Sequence, residues 1–96
     1  MVEITDQSVI QSVKDLFSCD LAGESVILNI KNGLYYGLDP VGSWIWSQIQ
    51  QPIAVRDVRD AMLKEYEVDA DLCERDLIVL LKTMQENELI DVKEDR

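Results

Sequence analysis

The side chain most often used for acid–base catalysis near neutral pH is missing from this chain. It contains no histidine. That removes the group whose ordinary pKa lies closest to neutrality, and with it most Ser/His and Cys/His nucleophile arrangements. Its two cysteines, Cys19 and Cys73, are far apart and match no metal-ligand spacing, so they read as buried free thiols. The glycines Gly23, Gly33, Gly37 and Gly42 stand singly at turn-like places and build no phosphate-cradling loop. Carboxylates are plentiful, but Glu74, Asp76 and Glu86 fall where a helix would hold them in water. Asp76 differs in having apolar neighbours; its plain reading is a surface carboxylate paired with an arginine or a backbone N–H. No catalytic set, metal site or cofactor site is expected.

What the residues do offer is binding chemistry. Cys73, Leu77, Leu80, Leu81 and Met84 form one complete helical stripe, enough to pack a face on a core. Yet residues 77–81 are apolar without a break, and at about 100° per residue they encircle the helix. Leu72 and Val79 form a second row with Asp76 between them. Either the protein's own hairpin or first helix covers that row, or it waits for a partner's apolar side chains. The segment Leu34, Tyr35, Tyr36, Gly37, Leu38 reads as a strand with nothing in sequence to pair on its outer side. Such an edge presents unpaired N–H and C=O groups to an incoming extended peptide. Tyr35 and Tyr36 add broad amphipathic surface there. Trp44 and Trp46, two apart, cannot share a helix face; Trp46 is expected in the core and Trp44 partly exposed.

The elements that must position these residues follow from periodicity. Residues 25–30 alternate, with Val26, Leu28 and Ile30 on one face and Ser25, Ile27 and Asn29 on the other. Asn32-Gly33 is a strong hairpin signal, and residues 34–38 return as the second arm, with Gly37 a possible bulge. A further strand is expected over about 15–20, before a turn at residues 22–24. Val9, Ile10 and Val13 suit a short strand or a helical turn. Asp39 is placed as an N-cap with Pro40 at the first helical position. Val41, Ile45 and Ile49 then share a stripe until Pro52. A second helix is predicted over about 54–67, along Val55, Val58, Met62 and Tyr66. Asp69 caps a third, over about 70–87, and residues 89–92 suit a closing strand. The fold class is therefore α+β and winged-helix-like, a three-stranded antiparallel sheet followed by a three-helix bundle. One domain is expected over 1–96, its core at about 15–92, with 1–12 and 93–96 less ordered.

Apolar residues make up 47% of the 96, enough for a core. Nine basic against nineteen acidic residues give a net charge of −10, which repels phosphate backbones and anionic membranes. The third helix, with Arg75 and Lys82 against Asp71, Glu74, Asp76 and Glu86, is not the basic helix of a DNA-binding winged-helix regulator. No nucleic acid and no membrane are expected as partners. The N-terminal residues lack a secretion signal's pattern, so a cytoplasmic location is expected.

The block Ile27-Leu-Asn-Ile-Lys-Asn-Gly-Leu-Tyr-Tyr-Gly-Leu-Asp-Pro-Val-Gly42, then Ile45-Trp46, Tyr66-Glu-Val-Asp69, Asp76-Leu-Ile-Val-Leu-Leu81 and Glu88-Leu-Ile90, resembles the PqqD-like domains, the recognition elements for precursor peptides of ribosomally made natural products. The likeness spans about residues 15–92. It implies a non-catalytic domain that binds a precursor's leader segment as an added strand, with leader side chains against the third helix. Carried over, the strand is Leu34, Tyr35, Tyr36, Gly37 and Leu38, and the helix face is Leu72, Arg75, Asp76 and Val79. Members from pyrroloquinoline quinone synthesis usually carry a Pro-Glu turn in place of Lys-Asn-Gly. The Tyr-Tyr-Gly-Leu-Asp-Pro-Val-Gly string is more similar to the stand-alone leader-binding proteins of lasso-peptide biosynthesis. Their partners are a separate maturation protease and an ATP-dependent cyclase. The alternatives are a PqqD-type peptide chaperone for a radical SAM enzyme and a winged-helix protein-interaction adaptor.

Overall fold

The computed structural model describes residues 3–14, 16–22 and 24–94; Asp15 and Gly23, at the expected strand start and turn, lie outside them, as do residues 1, 2, 95 and 96. Strand β1 is Ser8–Ser12, β2 Leu16–Leu21, β3 Glu24–Asn29 and β4 Leu34–Gly37. Helix α1, Pro40–Gln48, is followed by the two-residue strand β5, Ile53–Ala54, by α2, Val55–Glu65, by α3, Ala70–Glu86, and by β6, Ile90–Glu94.

The β3–β4 reversal forms where Asn-Gly predicts it. Residues 30–33 make the turn, the Gly33 amide donates to the Asn29 carbonyl at 2.8 Å, and Gly33 sits at φ +72. Only Gly33 adopts the left-handed region there; Asn32 contributes by accepting from the Leu34 amide through Oδ1 at 2.9 Å. Pairing runs unbroken from Asn29↔Leu34 to Val26↔Gly37, so Gly37 marks no bulge. Strand β2 pairs antiparallel with β3 on the other side, giving the order β2-β3-β4.

A second antiparallel sheet, of order β5-β1-β6, changes the expected count of strands. The segment left open between strand and turn is β1, and it is the central strand of that sheet. Its Ile10 is fully buried, and Ile4 joins the same core, so the core reaches beyond the expected 15–92. At the other end Lys93 pairs with Val9 and Glu94 with Ser8, where fraying was expected. Ala54 belongs to β5 and not to the second helix.

Asp39 caps α1, its carboxylate accepting from the Gly42 amide at 2.7 Å, with Pro40 at the first helical position. Asp69 caps α3, accepting from Asp71 and Leu72 amides. Helix α3 buries Cys73, Leu77, Leu81 and Met84, each of the larger three contributing about 1.5–3 kcal/mol. They meet Ile45, Trp46 and Ile49 of α1 and Val55, Val58 and Met62 of α2 in one cluster. The α3 helix ends in a Schellman motif: Leu89 N–H reaches the Met84 carbonyl at 2.9 Å, Glu88 N–H the Gln85 carbonyl at 3.1 Å, and Glu88 occupies φ 60. Trp44 is half-buried, its ring edge-on to Tyr66 at 5.9 Å.

Two readings of single residues are corrected. Cys19 is exposed, because its strand turns Phe17, Cys19 and Leu21 away from the helices; only Cys73 is a buried thiol. Glu74 is not part of a purely solvated face. It accepts from Arg59 at 2.6 Å and joins α3 to α2, a bond that raises the Arg59 pKa above its ordinary value.

Candidate functional site

Which backbone groups of β4 point outward follows from one hydrogen bond and the antiparallel alternation. The Leu38 amide donates to the Ser25 carbonyl at 2.9 Å, so Leu38 faces β3. Residues alternate in direction, so Tyr36 and Leu34 also face β3 while Tyr35 and Gly37 turn their N–H and C=O away from it. Strand β4 is the last in its sheet, and among the described residues no strand pairs with that side. The open ladder is thus Tyr35 and Gly37, bracketed by residues committed to the fold.

The end of this edge is pinned from α1. The Ser43 hydroxyl accepts from the Ser25 amide at 2.6 Å and donates to the Leu38 carbonyl at 3.2 Å, bridging β3 to β4 where direct pairing stops. Sequence patterning gave Ser43 no role; its signal is only its place one turn after an Asp-Pro cap.

Side chains divide by face. Leu34 and Tyr36 share the face of Ile27, which is fully buried against the helices, and Tyr36 and Leu38 pack half-buried on the core. Tyr35, 69% exposed, and Gly37 lie on the opposite face, beside Val26 and Leu28. That outer face continues onto β2 through Phe17, 67% exposed, Cys19 and Leu21. The period-two run of Phe17, Cys19 and Leu21 was visible in the sequence, but nothing there marked it as the uncovered side. A shallow hollow of about 220 Å³ on this face is lined by Phe17, Ser18, Cys19, Val26, Leu28 and Tyr35. A second, of about 260 Å³, is lined by Glu24, Ser25, Val26, Gly37, Leu38 and Asp39.

On α3 the second row stays uncovered. Leu72 is 49% and Val79 59% exposed, with Arg75 and Asp76 exposed beside them. Neither hairpin nor α1 covers these residues, so the row is open to a partner. Asp76 does not take the arginine that reaches across from α2, since Arg59 pairs with Glu74 and Asp60. Burial pushes the thiol of Cys73 up from its ordinary pKa, with the Asp76 carboxylate adding to it. The five strand residues thus form one edge and the four helix residues one exposed side; the hollow beside Tyr35 lies on the outer face, and the one beside Gly37 is lined by residues of both faces. Among the described residues no cluster of three or more His, Cys, Asp or Glu is placed to hold a metal ion, and no helix is long and apolar enough to cross a membrane.

The family model for coenzyme PQQ synthesis protein D (PqqD) matches residues 24–90, from the start of β3 to the start of β6. The chain belongs to the PqqD family. Its α+β arrangement is that of PqqD-like proteins. The solved structure of TbiB1 in complex with the TbiA(beta) leader peptide is similar at 34% identity and a TM-score of 0.81, over 88% of this chain and 99% of that one. A lasso peptide synthetase B1 complexed with the leader peptide shares the fold at 22% identity and a TM-score of 0.76, over 85% of this chain and 96% of that one. None of the curated proteins matches the sequence.

Proposed function

We propose that this PqqD-family protein binds the leader segment of a ribosomally synthesised precursor peptide by strand addition to β4. It then presents the peptide to a separate leader peptidase and an ATP-dependent cyclase in lasso-peptide biosynthesis. The protein is a binding partner in the cytoplasm and performs no catalytic step of its own. The single observation that carries the reading is the open ladder at Tyr35 and Gly37, on a fold shared with two proteins solved with leader peptides.

The magnitudes assign roles. Two residues offer two N–H and two C=O groups, each bond worth about 0.5–1.5 kcal/mol net. The ladder then supplies about 2–6 kcal/mol, less than the ~8 kcal/mol of micromolar binding even before association entropy. Apolar anchors must provide the remainder. Leu34, Tyr36 and Leu38 on the helix side, with Leu72 and Val79 and flanked by Arg75 and Asp76, are the surfaces that would receive them. The backbone ladder sets register and the anchors set selectivity.

Calorimetric titration tests the reading, first with the TbiA(beta) leader peptide and then with the leader peptide of the lasso peptide synthetase B1 complex. Saturable one-to-one binding at micromolar peptide or below is expected. Heat changes that never saturate for either peptide overturn the proposal.

A further inference from the structure

Gly37 has no reason within the protein to be glycine. Gly33 needs its left-handed φ of +72, and at Gly42 an added Cβ would meet Asp39 Oδ1 at 3.2 Å. Gly37 shows neither feature. It lies within a regular strand, its pairing with Val26 is in register, its φ is not left-handed, and a Cβ there would have nothing within 4 Å. Glycine inside a strand weakens it and leaves no side chain to pack, so an unforced strand glycine points to something approaching from outside. Gly37 also turns its N–H and C=O to the open side, and it borders the hollow of about 260 Å³ at the end of the β3–β4 pair, lined by Val26 on the outer face and by Leu38 on the helix side.

We infer that the vacancy above Gly37 is a subsite for an aromatic side chain of the bound peptide, on the sheet face away from α3. The inference rests on strand addition at β4. In an antiparallel added strand, the peptide residue opposite Gly37 has its side chain on Gly37's own face, the outer one. With no side chain on Gly37, that residue can lie flat across β4 and pack on Val26. A flat ring covers a strand glycine better than a branched chain does. Exposed Tyr35, two residues along the same face, flanks it. The peptide residues opposite Leu34, Tyr36 and Leu38 face the helix side, so this subsite reads a position that the helix-side anchors do not.

The test is a bump at Gly37. Gly37→Val places a strand-favouring side chain in open space, so the melting temperature should hold or rise. Gly37→Ala is the milder variant if the first fails to fold. A display library of random peptides is selected against the wild type and the variant. The wild type should enrich an aromatic at one outer-face position, and the variant small residues there. Aromatic peptides should lose about tenfold or more in affinity for the variant, and truncating the aromatic to alanine should abolish the difference. A wild type that enriches peptides with no preference at that position overturns the subsite and leaves strand addition standing. So does a variant that binds aromatic peptides unchanged. If neither protein enriches any peptide, strand addition and the subsite fall together.

Discussion

Proline substitution can separate the open ladder from the ladder that holds the fold. Tyr35 directs its N–H away from β3, so Tyr35→Pro removes no bond of the native sheet, and an edge strand tolerates proline. A bound peptide would lose one donor and leave its own carbonyl unpaired in the interface, about 1–3 kcal/mol, or roughly fivefold to over a hundredfold in Kd. Tyr35→Thr discards the ring but retains the N–H, and isolates the aromatic contribution. Tyr36→Pro is the opposite case. Its amide faces fully buried Ile27, so its loss strands an interior carbonyl at about 1–3 kcal/mol. For a domain of this size that lowers Tm by about 4–24 °C. The sheet has a second edge at β2, where the register leaves Ser18 facing outward; Ser18→Pro should not affect binding. Calorimetric titration with leader peptide, alongside thermal melts, reads all four variants. A folded Tyr35→Pro that binds like wild type refutes the assignment, and loss of binding in Ser18→Pro alone would move the peptide to β2.

Three further outcomes follow from the same geometry. Leu72→Ala and Val79→Ala, on half-exposed side chains, should leave Tm within about 4 °C of wild type. In titration each should weaken leader binding by about three- to tenfold, since the apolar area still to be buried is worth about 1 kcal/mol. Under native conditions a thiol-alkylating reagent should label Cys19 alone, because Cys73 is buried and its thiolate disfavoured; mass spectrometry after labelling checks this, and equal labelling rates would contradict the packing of α3. Glu88→Gly should raise stability by about 1 kcal/mol, relieving a left-handed non-glycine residue at the α3 terminus, as read from denaturant unfolding.

Local chemistry made much of the molecule legible in sequence. Asn32-Gly33, Asp39-Pro40 and Asp69 each act through bonds spanning a few residues, and each terminus or turn stands where its residues place it. The α3 stripe was readable because five apolar residues at helical spacing allow few arrangements. Strand β5 was not, since a two-residue strand has no period. Strand β1 stayed open between strand and helical turn, because its partners, β5 in mid-chain and β6 near the other end, are brought to it only by tertiary packing. Cys19 was misplaced because alternation tells which residues share a face but not which face is covered. The same ambiguity hid the apolar outer surface, whereas the edge role of β4 was accessible because successive hairpins fix the order of three strands.

An open edge beside exposed apolar side chains is also the usual start of aggregation, and the chain limits this in two ways. The strand β4 is four residues long, and only Tyr35 and Gly37 in it offer free groups, too few to hold another strand without additional anchors. A second copy would have to supply those anchors while bringing another net charge of −10 against the first. A peptide with few negative charges and correctly spaced apolar residues meets no such barrier, and one carrying basic residues is drawn in. Short edge, exposed helix row and acidic surface therefore act together. On the proposed reading the ladder is too weak to act alone, the anchors decide which chain completes it, and a net charge of −10 on each copy opposes pairing of the protein with itself.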